Sequence, residues 1–123
     1  MLYEYKVKEV IKVVDGDTVD VLIDLGFCTY QMHRVRLTGI DAPETRTKDL
    51  EEKARGLGTK KWLEDRLTNV FLHNASELWI KTELDKRGKY GRVLGTLLDY
   101  HMGRKCDINR EMVNRGLAQQ ADY

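Results

Sequence analysis

The chain has 123 residues, of which 41% are hydrophobic and 33% are charged, and its formal net charge is +1. This length and balance predict one compact domain over residues 1–123, and the near-zero charge excludes a protein that holds nucleic acid mainly through bulk positive charge. No apolar run approaches the roughly 20 residues that a membrane-spanning helix needs, so we expect no membrane insertion.

The N-terminus and the cysteines indicate the cellular setting. The opening MLYEYKVKEV alternates polar and apolar residues and lacks the continuous apolar block of a secretory signal. We therefore expect a cytoplasmic protein, or a secreted one whose signal peptide has been removed. Cys28 and Cys106 lie far apart, without the CxxC spacing of zinc sites, and are interpreted as ordinary thiols.

The N-terminal part of the chain carries the alternation typical of β-strands. Apolar residues recur at odd positions from Tyr3 to Val13, and the run from Val19 to Leu25 alternates with aspartates. A third run spans roughly Cys28 to Gly39 and puts Arg34 and Arg36 on its polar face. Together these runs predict an antiparallel meander of three strands.

Helical spacing follows in the middle of the chain. An amphipathic helix of about three turns is predicted by Leu57, Trp62, Leu63 and Leu67. Most of the polar stretch from Arg46 to Gly58 is interpreted as a surface loop. Two β-prone runs, Glu77 to Leu84 and Arg92 to Leu98, are expected to pair across a basic turn. Asp107 is a suitable cap for a second helix that Gly116 can end.

These elements predict a fold that is mainly β with helices (α+β). A five-stranded meander with a helix between strands three and four is most simply a small, partly open OB-fold barrel. The same barrel serves many unrelated tasks, so function has to be argued from particular residues.

The motif DGDT, from Asp15 to Thr18, lies at the tip of the first predicted hairpin. Asp-Gly is a preferred turn dipeptide, and a plain turn is the better interpretation of this motif taken alone. An EF-hand loop does not fit, because Val19 holds the third ligand position and Asp20 replaces the required glycine.

The stretch LTGIDAPET contains the only proline in the chain. Pro43 fixes its own φ and restricts the residue before it, so Asp41 and Glu44 are held by stiff backbone. The alternative is a polar turn with two solvated acids, which would not explain Arg36 on the polar face of the same strand. We therefore favour a functional site here.

The segment KYGR, from Lys89 to Arg92, is taken alone a hairpin turn that uses Gly91. Arg92 nevertheless offers a planar donor fork that matches phosphate oxygens, and Tyr90 offers a hydroxyl and a ring. Together with Arg36, the three motifs supply carboxylates for a hard cation, one further carboxylate for proton transfer and two arginines for a phosphate under attack. This combination predicts a phosphodiesterase.

Four segments, DGDT, RLTGIDAPET, KYGR and INREMVNRGLA, occur in this order over nearly the whole chain and resemble the staphylococcal nuclease (thermonuclease) family. The resemblance implies an OB-fold barrel with helices and a calcium-dependent nuclease that hydrolyses DNA, RNA or both. By in-line attack of a metal-associated water, such an enzyme would break the bond to the 5′-oxygen and leave 3′-phosphates. We expect a monomer acting on single-stranded or frayed nucleic acid.

The resemblance also implies roles for the acidic residues. Asp17, Asp41 and the main-chain carbonyl of Ala42 would bind Ca²⁺, with Asp15 behind them. Glu44 would orient or deprotonate the attacking water.

The basic residues would contact phosphate. Arg36 and Arg92 match the two arginines on the scissile phosphate, and Lys89 and Tyr90 match residues on a neighbouring terminal phosphate. Asp122 stands near the place of a base-stacking tyrosine in the family's archetype, so we expect weaker stacking.

Two other functions compete with the enzyme. One is a catalytically weak or inactive nuclease-like OB module that binds single-stranded nucleic acid, and the other is a plain structural barrel with charged turns. The enzyme is favoured because five residues are present together: Asp17, Arg36, Asp41, Glu44 and Arg92.

Overall fold

A computed structural model describes residues 3–84 and 93–122, in which eight strands and two helices occur. The strands are β1 (Tyr3–Asp15), β2 (Thr18–Asp24), β3 (Tyr30–Leu37), β4 (Ile40–Asp41), β5 (Ser76–Leu84), β6 (Val93–His101), β7 (Arg104–Asp107) and β8 (Gln119–Gln120). The helices are α1 (Leu50–Leu72) and α2 (Ile108–Asn114). Neither of these helices combines the length and the apolar character needed to cross a membrane.

Five strands close into a barrel, and the predicted mainly β fold with helices is confirmed. β1, β2 and β3 form an antiparallel meander, β1 also pairs with β5, and β5 pairs with β6. The barrel closes where β6 runs parallel to β3 at Val35–Leu37. β7 extends the sheet beyond β6, and β4 pairs separately with β8.

The barrel interior is apolar and is covered by both helices. Buried side chains come from the strands and helices alike, among them Val7, Val19, Val35, Leu37, Ile80, Leu97, Leu63, Leu67, Ile108 and Met112. Space is tight at Gly95 of β6, where an added Cβ would lie 2.7 Å from Val35 Cγ1 and 2.8 Å from Ile80 Cδ1. Barrel closure therefore depends on a residue without a side chain.

The first helix differs from the prediction. α1 begins at Leu50 and runs for 23 residues, so much of the stretch from Arg46 to Gly58 is helix rather than surface loop. Asp49 caps it by accepting hydrogen bonds from the backbone N–H groups of Glu51 and Glu52, whose charges also suit the first turn. The loop prediction was wrong because this polar, glycine-containing segment forms a capped helix whose inward face carries Gly56 and Thr59.

One position in β1 also differs from the simple alternation. The odd-position pattern places Ile11 on the core face with Val7 and Val13, but Ile11 is exposed whereas the two valines are buried. The pairing with β2 shifts register between Val10 and Lys12, as at a β-bulge. Because a one-residue shift reverses the face that a side chain occupies, Ile11 turns towards solvent.

Three other expectations from the sequence are confirmed. The Asp107 carboxylate accepts a hydrogen bond of 3.0 Å from the N–H of Arg110 at the start of α2, and the chain leaves this helix through Gly116 at φ +73°. β5 and β6 pair as far as Leu84 and Val93, and the basic turn expected between them lies outside the described residues. Both cysteines are free thiols.

Asp20 links β2 to Arg34 of β3. The two Asp20 oxygens accept hydrogen bonds of 2.8 and 3.1 Å from Nε and Nη2 of Arg34. These hydrogen bonds lower the pKa of Asp20 below its ordinary value of 3.8. A carboxylate whose pKa is lower in the folded state stabilises the fold above its unfolded pKa, and the stabilisation is lost as the pH falls through the folded pKa.

We therefore expect Asp20→Asn to lower the free energy of unfolding at neutral pH, and we expect the difference from the wild type to shrink as the pH falls below 3.8. Urea unfolding over a pH series measures both effects. Asp122→Asn, a change at an exposed residue, is the control. A difference of constant size across the pH series would contradict the assignment.

Candidate active site

Arg36, near the end of β3, organises the turn that leads into β4. Its side chain is 10% exposed, and its Nη1 donates hydrogen bonds to the backbone carbonyls of Leu37 at 2.8 Å and Ile40 at 2.9 Å. A guanidinium can serve both carbonyls because its donors point in fixed directions. Arg36 thus fixes the backbone immediately before Asp41.

The same guanidinium brings two distant aspartates to one place. Nη2 of Arg36 lies 3.4 Å from Oδ2 of Asp17 and 3.3 Å from Oδ1 of Asp41. The Asp17 side chain is 13% exposed, whereas that of Asp41 is 54% exposed. Two predicted metal ligands and one predicted phosphate ligand therefore meet, with one carboxylate inside the protein and the other facing solvent.

Asp17 also holds the backbone of Ala42. Its Oδ2 accepts a hydrogen bond of 2.9 Å from the N–H of Ala42, and its Oδ1 accepts one of 3.2 Å from the Thr18 hydroxyl. Gly16, beside Asp17, permits this approach, since an added Cβ would lie 2.8 Å from both Ala42 Cβ and Thr59 Cγ2. The glycine of DGDT therefore serves close packing.

The other two predicted acids lie at the margins of this contact. The Asp15 carboxylate accepts a hydrogen bond of 2.9 Å from the N–H of Gly16, within its own turn. Glu44 is exposed, and its backbone N–H donates to Oε1 of Glu52 at 3.4 Å. In residues 3–84 and 93–122, no three His, Cys, Asp or Glu side chains form a group able to hold a metal ion. Glu44 is therefore not part of such a group with Asp17 and Asp41.

Three further predicted site residues, Lys89, Tyr90 and Arg92, lie outside the described residues. The described chain resumes at Val93, which pairs with Val35 of β3. The next residue, Leu94, pairs with Arg36, so β6 begins beside Arg36.

An open cleft adjoins Asp41. Its volume is about 340 Å³, and it is lined by Asp41, Ala42, Pro43, Glu52, Arg55, Gly116, Leu117, Ala118 and Gln119. Its two walls are joined where β4 pairs with β8, with Asp41 opposite Gln119. The exposed carboxylate of Asp41 is therefore reached from a groove between α1 and the segment that follows α2.

Asn109 supports this region and was not identified from the sequence. Asn109 is 3% exposed. Its Nδ2 donates hydrogen bonds to the carbonyls of Thr38 at 2.9 Å and Gly95 at 3.1 Å. Its Oδ1 accepts a hydrogen bond of 3.1 Å from the N–H of Leu97. It thereby ties α2 to β6 and to the turn after β3. The available signal was its place on the apolar stripe of α2, three residues before the buried Met112.

Comparison with known proteins points to one family. A family model described as staphylococcal nuclease homologue matches residues 34–123. Micrococcal nuclease of Shigella flexneri is 34% identical over 120 residues, which cover 94% of this chain and 58% of that protein. Protein ParB of Escherichia coli is 30% identical over 115 residues, which cover 89% of this chain and 54% of that protein. An uncharacterized protein of Methanocaldococcus jannaschii is 28% identical over an alignment of 135 positions, gaps included, which covers 95% of this chain and 60% of that protein. The chain thus spans little more than half the length of these relatives.

We expect Arg36→Lys to lower the free energy of unfolding by about 1–3 kcal/mol, because a lysine cannot serve two carbonyls and two carboxylates at once. Urea unfolding measures the change. Arg110→Lys, at an exposed position on α2, is the matched control and should be nearly neutral. Equal stability of the two variants would show that the contacts of Arg36 do not hold the turn.

Proposed function

Because the chain belongs to the staphylococcal nuclease family, we propose that it hydrolyses phosphodiester bonds in DNA, RNA or both. The observation that carries this proposal is the buried guanidinium of Arg36, within 3.4 Å of Asp17 and 3.3 Å of Asp41. A cation and two carboxylates at one point, beside an open cleft, suit an anionic substrate that binds together with a divalent cation.

The donor chemistry of this point fits calcium. Asp17 and Asp41 offer hard carboxylate oxygens that meet at one guanidinium, and Asp17 holds the adjacent backbone of Ala42. We propose that these two carboxylates and the main-chain carbonyl of Ala42 hold Ca²⁺, with Asp15 supporting the turn behind them. Bound there, the ion would supply positive charge beside the scissile phosphate.

Arg36 would stabilise the phosphate during attack. Its Nη1 is fixed by two carbonyls, so the guanidinium is oriented before a substrate arrives, and its Nη2 faces the two aspartates. Such a preorganised donor stabilises charge that grows on the phosphate oxygens without further reorganisation. Arg92 would act as the second arginine, which is supported by the pairing of the next residue, Val93, beside β3.

Glu44 would act on the attacking water. Its side chain is exposed, and the residue before it is Pro43, whose ring restricts the backbone φ angle at that position. We propose that Glu44 orients this water and accepts its proton, while Lys89 and Tyr90 bind a neighbouring terminal phosphate. Departure of the 5′-oxygen would leave 3′-phosphates, and single-stranded or frayed nucleic acid would be the substrate of a monomeric enzyme.

A second candidate function is binding of single-stranded nucleic acid without cleavage. It is favoured by the position of Glu44, which forms no three-acid group with Asp17 and Asp41 within the described residues. The two functions share the arginines and differ in whether the acids take part.

We expect the purified chain to cleave single-stranded DNA or RNA in the presence of Ca²⁺ and to lose this activity when a chelator is added. Glu44→Gln should lower the rate by about 10²- to 10⁴-fold, the usual contribution of general acid–base catalysis, because the amide cannot accept the proton. Cleavage is followed with end-labelled oligonucleotides, whose products also show which oxygen departs.

Glu51→Gln, which changes an exposed carboxylate in the first turn of α1, is the matched control and should leave the rate unchanged. Equal rates for Glu44→Gln and Glu51→Gln would remove Glu44 from the mechanism. Full activity in chelator would show that calcium is not part of the mechanism. Binding of nucleic acid without cleavage under every condition would support the second function.

A further inference from the structure

One face of α1 lies directly against the backbone that carries Glu44. Gly56, in this helix, is buried, and an added Cβ would lie 2.7 Å from the carbonyl oxygens of both Pro43 and Glu44. It would also lie 2.9 Å from the carbonyl carbon of Glu44. These atoms are backbone, so rotation of a side chain cannot relieve the contact.

Two neighbours of Gly56 extend the contact along the helix. Glu52, one turn earlier, accepts the hydrogen bond from the N–H of Glu44 at 3.4 Å. Thr59, three residues later, donates from Oγ1 to the carbonyl of Leu117 at 2.7 Å, and its Cγ2 lies against Gly16. Positions spaced by three and four residues share one helix face. This face therefore touches the Glu44 backbone, the DGDT turn and the wall of the cleft.

From these contacts we propose that the face formed by Glu52, Gly56 and Thr59 is a positioning surface, which sets Glu44 relative to Asp17 and Asp41. The inference rests on the proposed nuclease function. It follows from restraints on consecutive residues: Asp17 holds Ala42 through its N–H, and Gly56 of α1 lies against the carbonyls of Pro43 and Glu44.

A small displacement here has a large expected effect on catalysis. An added methyl group at position 56 must move the loop by about 0.5 Å or more to reach an ordinary carbon–oxygen contact of roughly 3.3 Å. A misplacement on the scale of 1 Å can reduce a rate by about 10²-fold, because the reacting groups must lie within a narrow range of distance and angle. Glu44 would contact the attacking water, whereas Gly56 would act through the loop that carries Glu44.

The chain contains a matched control for this surface. Gly58 lies two residues further along α1, is exposed, and has nothing within 4 Å of an added Cβ. Alanine normally stabilises a helix interior relative to glycine, because the glycine backbone loses more conformational freedom on folding. Both glycine-to-alanine changes therefore alter helix propensity equally, and only the change at Gly56 meets the loop.

We expect Gly56→Ala to lower kcat by about 10- to 100-fold with KM changed less than about twofold, and we expect Gly58→Ala to keep the wild-type kcat. The assay is cleavage of a single-stranded oligonucleotide in Ca²⁺, with a thermal melt of each variant. Equal kcat values for the two variants, with an active wild type, would overturn the positioning surface and leave the nuclease function standing. An inactive wild type would overturn both proposals.

A second measurement separates positioning from general damage to the structure. In a Glu44→Gln background, adding Gly56→Ala should cause little further loss, because the group being positioned can no longer accept the proton. The same fold-loss in both backgrounds would overturn the proposal.

If Gly56→Ala does not melt cooperatively, Glu52→Leu replaces it, since this change removes the acceptor for the Glu44 N–H and adds nothing between helix and loop. We then expect kcat to fall severalfold relative to Glu51→Leu. Equal kcat values for these two variants would overturn the proposal.

Discussion

The contacts of the Arg36 guanidinium are the interaction on which the rest of the site depends. A buried charge is unfavourable unless it is paired and hydrogen-bonded. Arg36 meets this requirement with the carbonyls of Leu37 and Ile40 and with the carboxylates of Asp17 and Asp41. The hydrogen bonds and ion pairs of Arg36 therefore fix the path of the chain after β3, the position of the β1–β2 turn and the position of the Asp41 carboxylate. The pairing of β3 with both β2 and β6 holds the strand beneath it, so the barrel acts as the rigid support of this group.

Around this charge, the elements come together at residues without side chains. Gly16 lets the DGDT turn reach Ala42 and Thr59, Gly56 lets α1 reach the Pro43–Glu44 backbone, and Gly95 lets β6 close on β3. None of these three has a left-handed φ, so close approach, and not backbone freedom, is the reason a glycine is needed. Glycine within a helix or strand is unfavourable relative to alanine. Here the glycines let their own backbone approach neighbouring atoms closely: the side chains of Ala42 and Thr59 at Gly16, the backbone of Pro43 and Glu44 at Gly56, and the side chains of Val35 and Ile80 at Gly95.

The sequence predicted the features that rest on regular patterns and missed those that rest on exceptions to them. Alternation identified the five barrel strands, and the motifs identified Asp17, Arg36 and Asp41, which the structure brings together. The first half of α1 was missed because its inward face carries Gly56 and Thr59, so the apolar spacing of an amphipathic helix is absent there. Ile11 was misplaced because a bulge has no signature in alternation, and β4 and β8, with two residues each, are too short to show any period. The features at α1 and β4 that the sequence did not predict lie next to the candidate site.

The near-neutral charge of the chain bears on how the proposed nuclease would bind its substrate. A strongly basic protein can hold nucleic acid by neutralising many phosphates, and its affinity then tolerates small errors at any one contact. With a net charge of +1, this chain has little such attraction to spare. The proposed recognition and chemistry would therefore come from a few groups whose directions are set in advance, such as a guanidinium held by two carbonyls and an acid whose neighbouring backbone is held by Asp17 and by α1. Loss of preorganisation at one of these groups could not be offset by charge elsewhere, so the proposed activity would depend on the helix face against the Glu44 backbone as well as on the residues that contact the substrate.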